Sequence, residues 1–87
     1  MKLKEGFVLG EVAGEYMVLP SGDTMNLNVI TTLNASGKFL WEQLQEETTE
    51  EKLVAAVLAN YEISQEEAAA YVKEFVDKLR AHDFLAE

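Results

Sequence analysis

The stretch LNASGKFLW, residues 33–41, marks the point where the periodicity of this 87-residue chain changes. Before it, apolar residues recur at every second position, which is typical of β-strands. After it, they recur at every third or fourth position, which is typical of α-helices. Asn34 stands at the change, and asparagine is a favoured helix N-cap. The stretch therefore predicts a small sheet that is joined at Asn34 to a set of helices.

The first third of the chain predicts three short strands. Alternating residues 7–12 form the first strand, and the apolar run 16–19 forms the second. Pro20 ends the second strand because proline has no N–H to donate to a sheet ladder. Residues 27–32 form the third strand, which is rich in β-branched side chains. An antiparallel sheet of this kind has one apolar face that other elements must cover.

Three helices in the rest of the chain are expected to supply that cover. The first runs to about Glu46. Thr48 with Glu51, and Ser64 with Glu67, form capping boxes that predict the starts of the second and third helices. The third helix carries a long apolar seam, which consists of Ala68, Val72, Phe75, Val76 and Leu79. The predicted fold is α+β and winged helix-turn-helix-like, a three-stranded antiparallel sheet followed by three helices.

The composition restricts the classes of function. Residues 1–87 contain no linker or repeat, so we expect a single domain, and a domain of this size has little volume for an internal substrate cavity. The chain has no cysteine, one histidine (His82) and no glycine-rich phosphate loop. We therefore expect no enzyme activity, no metal and no cofactor. We see no signal peptide and no apolar run long enough to span a membrane, and this pattern predicts a cytoplasmic protein.

The charge argues against nucleic acid and membrane surfaces as partners. Seven basic and sixteen acidic side chains give a net charge of −9, which repels phosphate backbones and anionic lipids. The order of sheet and helices also occurs in DNA-binding winged helices, but their last helix presents basic and amide side chains to bases. Here the outer side of that helix is mainly acidic, with Glu66, Glu67, Ala70, Lys73, Glu74 and Asp77.

Taken in order, these segments resemble the PqqD-like family over about residues 7–85. The resemblance rests on a hairpin followed by four segments in a fixed order, which are Leu33-Asn34 with Gly37, Phe39-Leu40-Trp41, residues 48–53 (TTEEKL) and residues 75–79 (FVDKL). One departure is at the end, where such domains often finish in a Gly-Leu-Leu-like sequence and this chain has HDFL at residues 82–85.

The family is named for a pyrroloquinoline quinone biosynthesis protein, and its domain is also called the RiPP precursor peptide recognition element. The resemblance implies a non-catalytic adaptor that captures the leader of a ribosomally made precursor peptide and delivers it to a modifying enzyme, often a radical S-adenosylmethionine (SAM) protein. An extended peptide would pair with a sheet edge, beside the third helix. Carried onto this chain, the family's strand positions are Asn28, Val29, Ile30, Thr31 and Thr32.

The helix side of such a groove has to be chosen from periodicity. At 100° per residue, two flanks border the apolar seam, and periodicity leaves both open: Tyr71, Lys78 and His82 on one side, Ala69, Val76 and Arg80 on the other. The Tyr71 flank combines aromatic area with hydrogen-bond donors, which suits a peptide with apolar anchors and carboxylates. The predicted helix wall therefore consists of Tyr71, Phe75, Lys78 and Leu79.

Other interpretations of the same residues remain. Val29, Ile30, Phe75 and Leu79 are also typical of core packing. A winged-helix DNA-binding regulator is the second candidate function, and the net charge predicts no affinity for a duplex. A structural module that forms a homodimer through its open sheet edge is the third.

Overall fold

A computed structural model describes residues 1–21 and 30–86. Its elements, in chain order, are β1 (Lys2–Leu3), β2 (Phe7–Val12), β3 (Glu15–Pro20), β4 (Thr31–Leu33), α1 (Ala35–Gln43), α2 (Glu50–Asn60), α3 (Gln65–Ala81) and β5 (Leu85–Ala86). Strands β2, β3 and β4 form an antiparallel sheet in that order, and three helices follow. The predicted fold class is confirmed. Within the described ranges, no helix has the length and apolarity needed to cross a membrane.

The hairpin of β2 and β3 closes through a two-residue turn. Val12 pairs with Glu15, and both residues between them have positive φ, 53° at Ala13 and 81° at Gly14. Two positive φ angles define a type I′ turn, whose twist matches that of the strands. Glycine adopts this conformation freely, whereas an alanine there is strained because its Cβ approaches the following carbonyl oxygen.

Replacing Ala13 with asparagine is therefore expected to stabilise the domain. Asparagine tolerates the left-handed region, so we expect the free energy of unfolding to rise by about 0.5–1 kcal/mol. Urea denaturation measures the change. The same substitution at Ala55, an exposed position inside α2, serves as the control and should lower stability by about 0.5 kcal/mol. A loss of stability in Ala13→Asn would contradict the strain at this turn.

Strand β4 is the described part of the predicted third strand. Thr31–Leu33 pairs with β3, and the N–H of Ile30 donates to the carbonyl of Val18 at 2.8 Å. Asn28 and Val29, in the first part of the predicted strand, lie outside the described residues. Among the described residues, no strand pairs with the other edge of β4.

Each of the three helices begins after a residue whose side chain caps it. Two of these N-caps are the predicted residues. The Asn34 side chain accepts from the N–H of Gly37 at 2.8 Å and starts α1. The Ser64 hydroxyl accepts from the N–H of Glu67 at 3.1 Å and starts α3. Both N-cap predictions are confirmed.

Two predicted helix boundaries are wrong because backbone groups of Met1 and Leu3 form hydrogen bonds with residues at those boundaries. The predicted capping box at Thr48 does not form, since the N–H of Thr48 donates to the carbonyl of Met1 at 2.9 Å, and Thr49 caps α2 instead. Helix α1 ends at Gln43 rather than near Glu46. The next residue, Leu44, is buried, and its carbonyl accepts from the N–H of Leu3.

A second, two-stranded sheet joins the two ends of the described chain. Strand β1 pairs antiparallel with β5. The N–H of Lys4 also donates to the carbonyl of Phe84 at 2.8 Å. Leu3, Phe84 and Leu85 are buried in the main core, so this small sheet is part of the packed domain.

Helix α3 positions the candidate site because its apolar seam is buried. The buried residues of α3 are the five predicted ones, Ala68, Val72, Phe75, Val76 and Leu79. Val18 and Leu33 from the sheet, and Leu40 and Leu44 near α1, belong to the same core. Burial of the seam leaves Tyr71 and Lys78 at the border of α3, where the helix meets solvent.

Candidate groove between the sheet and the last helix

A groove of about 900 Å³ lies between α3 and the end of the sheet where β4 meets α1. Three segments line it: the turn and start of β3 with Gly14, Glu15 and Tyr16; the β4–α1 junction with Thr32, Leu33, Asn34, Ala35 and Gly37; and α3 with Tyr71, Glu74, Phe75 and Lys78. The pairing of Tyr16 with Leu33 brings the hairpin turn to this end of the sheet. The groove therefore runs beside the edge of β4.

Four of the residues named from the sequence lie together in this groove. Thr32 comes from the strand, and Tyr71, Phe75 and Lys78 come from the helix. Ile30 and Thr31 precede Thr32 on the same strand segment but do not line the groove.

The other predicted positions do not line the described groove. Leu79 is fully buried in the core, with no exposed surface, so it supports the helix wall from behind. Asn28 and Val29 are outside the described residues. Of the opposite flank, Val76 is also fully buried.

Tyr71 is linked to the start of α1 by a chain of hydrogen bonds. Its hydroxyl donates to the Ser36 hydroxyl at 2.8 Å, and the Ser36 hydroxyl donates to the Asn34 side-chain oxygen at 3.1 Å. The same Asn34 oxygen caps α1 by accepting from Gly37. The half-buried Tyr71 ring is thus held in a defined orientation against the β4–α1 junction.

Gly37 allows α1 to approach α3 closely. A Cβ at this position would lie 3.2 Å from the Leu33 Cβ and 3.3 Å from the Phe75 ring. Both distances are shorter than ordinary van der Waals contact, so a side chain at this position would force its neighbours to shift. Gly37 therefore permits close packing of α1 against Leu33 and Phe75 at the groove.

Lys78 connects α3 to β4 through a hydrogen bond. Its Nζ donates to the carbonyl of Thr32 at 3.1 Å. In an antiparallel pair, residues alternate between those that bond the neighbouring strand and those whose N–H and C=O point away from it. The carbonyl of Thr32 points toward α3, and therefore the unpaired backbone groups of β4 face the groove.

The groove carries charges of both signs: Glu15, Glu74 and Lys78 line it, and Lys38 lies beside its Tyr16 wall. The Lys38 Nζ lies 4.9 Å from the centre of the Tyr16 ring. Within the described part of the chain, neither lysine pairs with a carboxylate, whereas Lys4 and Lys73 each pair with an aspartate. The groove thus offers aromatic surface, unpaired backbone groups and ammonium donors.

The hairpin residues of the groove, and its junction residues other than Thr32, were not predicted from the sequence. Tyr16 was expected only in a strand, and Glu74 only on the solvent side of α3. The short Ala13-Gly14 turn was the available signal for the hairpin residues, because it limits how far β3 extends beyond β4. In the described residues, no group of three or more histidine, cysteine or acidic side chains is arranged to hold a metal ion.

Comparison with known proteins agrees with this architecture. The structure described as TbiB1 in complex with the TbiA(beta) leader peptide superposes with a TM-score of 0.75 at 21% sequence identity, covering 100% of both chains. This likeness shows a shared fold. No curated protein sequence matches the chain. The sequence model of the family described as Coenzyme PQQ synthesis protein D (PqqD) matches residues 7–85. That match spans nearly the whole domain, it confirms the resemblance seen in the sequence, and it shows that the chain belongs to the PqqD family.

Proposed function

We propose that this protein is a non-catalytic adaptor that binds the leader of a ribosomally made precursor peptide and delivers it to a modifying enzyme, of which a radical SAM enzyme is the leading candidate. The observation that carries the proposal is the edge of β4, whose Thr32 carbonyl faces a groove walled by Tyr71 and Phe75. Membership of the PqqD family supports it. The leader peptide in the TbiB1 complex, which has the same fold, supports it further.

The binding mode is strand addition. The backbone of an extended peptide pairs with the strand positions implied by the family, Asn28, Val29, Ile30, Thr31 and Thr32, and every second peptide side chain enters the groove. Apolar side chains pack on Tyr71 and Phe75, while buried Leu79 holds the helix wall in place. A groove of about 900 Å³ accommodates a few side chains, and so the peptide's backbone remains at the surface.

Delivery to a separate enzyme is the second part of the proposal. Membership of the PqqD family supports it, and within the described residues neither cysteine nor histidine lines the groove. The adaptor therefore holds the leader while a separate enzyme modifies the rest of the precursor. In this proposal the protein acts in the cytoplasm, where the precursor is translated.

Titration of the nitrogen-15-labelled protein with the leader of a precursor encoded beside its gene tests the binding site. We expect the largest amide shifts at Thr31, Thr32 and along residues 71–79, and none with a scrambled leader. Shifts confined to α2 would contradict the groove as the site. A homodimer that excludes the leader, seen by sedimentation, would favour the dimerisation module instead.

Delivery is tested separately with the modifying enzyme encoded beside the same gene. Modification of the precursor, followed by mass spectrometry, should require this protein and should fail when the leader is removed from the precursor. Equal modification with and without the protein would contradict the adaptor role and would leave peptide binding unaffected.

A further inference from the structure

Lys78 occupies the backbone acceptor that an added strand would need. Its ammonium donates to the Thr32 carbonyl at 3.1 Å, on the unpaired edge of β4. We propose that Lys78 leaves this carbonyl when a peptide binds and pairs with a carboxylate of that peptide, so that the groove selects extended peptides with an acidic side chain close to an apolar anchor. This inference rests on the proposed function, because it assigns the chemistry of the peptide.

The geometry of α3 shows that the bond to Thr32 is not the default arrangement of this lysine. Glu74 lies four residues before Lys78, the spacing and order at which a glutamate and a lysine pair on a helix surface. Lys73 and Asp77, at the same spacing, do form such a pair at 3.1 Å. Glu74 and Lys78 are both described and both line the groove, yet no ion pair joins them. The ammonium of Lys78 is directed at the strand instead.

Exchange of the bond is physically easy. Lys78 is exposed, and its flexible stem carries three donors that can turn away from Thr32. Once the peptide's N–H takes the Thr32 carbonyl, the ammonium faces the groove without its former acceptor. A peptide carboxylate compensates for the lost acceptor, because both partners of that hydrogen bond are charged, whereas the Thr32 carbonyl is neutral.

The spacing of groove residues predicts where the acidic side chain lies in the peptide. Tyr71 and Lys78 are seven positions apart on α3, which corresponds to about 10 Å along the helix. A strand rises about 3.3 Å per residue, and only every second side chain faces the groove. An apolar anchor over Tyr71 and a carboxylate at Lys78 should therefore be about two or four residues apart in the peptide.

Selection from a library of displayed random peptides tests the inference without knowledge of the natural leader. Parallel selections use the wild-type protein, Lys78→Met, Lys78→Glu and a matched control, Lys73→Glu. Lys73 lies on the same helix and carries the same charge, but it is outside the groove. We expect the wild-type and Lys73→Glu pools to be enriched in Asp or Glu two or four positions from an apolar residue. The Lys78→Met pool should lose this enrichment, and the Lys78→Glu pool should favour Lys or Arg there.

The affinities of a selected peptide and of its Glu→Gln version then measure the interaction between Lys78 and the peptide carboxylate. On the wild-type protein, the amide version should bind roughly fivefold more weakly, whereas on Lys78→Met the two should bind within about twofold of each other. An acidic preference that persists in Lys78→Met overturns the exchange and leaves peptide binding intact. Absence of any selected peptide on the wild-type protein overturns both proposals. Circular dichroism checks that the variants fold. If Lys78→Glu does not fold, the comparison of the wild-type protein with Lys78→Met still tests the inference.

Discussion

The Phe84→Ala variant is expected to lose about 3–5 kcal/mol of folding free energy, the range typical of a phenylalanine truncated in a core. Phe84 is 1% exposed, and its ring centre lies 4.6 Å from that of Phe7 and 5.8 Å from that of Trp41. Its backbone N–H donates to the carbonyl of Leu79 in α3, and its carbonyl accepts from the N–H of Lys4, directly after β1. The truncation would leave a cavity where the two sheets and α1 meet.

Such a loss is a large part of the total, because a domain of this size is stable by only about 4–13 kcal/mol. Urea denaturation followed by circular dichroism measures it. Leu58→Ala is the control, since Leu58 is 37% exposed on α2 and should cost less than about 1 kcal/mol. A Phe84→Ala variant with the stability of this control would show that residues after α3 do not pack into the core.

Replacing Tyr71 with alanine is expected to weaken leader binding by roughly thirtyfold, the effect of losing a central aromatic contact worth about 2 kcal/mol. Tyr71 lines the groove as a half-buried ring, and its hydroxyl is anchored to Ser36. The alanine variant removes both the apolar surface and its fixed orientation. Isothermal titration with the leader encoded beside the gene measures the affinity.

Tyr61 offers a matched control for this substitution. Its ring is 39% exposed near the end of α2, contacts Phe39 and does not line the groove. Tyr61→Ala should change leader affinity by less than about twofold. Tyr71→Phe, which keeps the ring and loses the bond to Ser36, should bind more tightly than Tyr71→Ala. Equal affinities of wild type and Tyr71→Ala would place the peptide elsewhere.

Local signals in the sequence predict most of the elements. Asn34 and Ser64 cap helices because their side chains accept from N–H groups three residues ahead, a contact that does not depend on the rest of the chain. The apolar seam of α3 follows from helical spacing, and all five of its predicted residues are buried. The order of the segments was enough to recognise the family.

Contacts between distant residues account for the wrong predictions. Strands β1 and β5 have two residues each, too few for a periodic signal, and they form because each supplies the other's hydrogen bonds. Thr48 looks like an N-cap by sequence, but its backbone is bonded to Met1, and the neighbouring Thr49 caps the helix.

The sequence alone determined the class of fold, the family and the apolar face of α3, because these depend on periodicity and segment order. It did not decide which of the two flanks of that helix lines the groove. Only the tertiary structure decided that the flank with Tyr71 and Lys78 borders the groove, since that depends on how α3 crosses the sheet. The close approach at Gly37 and the register of Tyr16 with Leu33 set this crossing, and neither has a local signature in the chain.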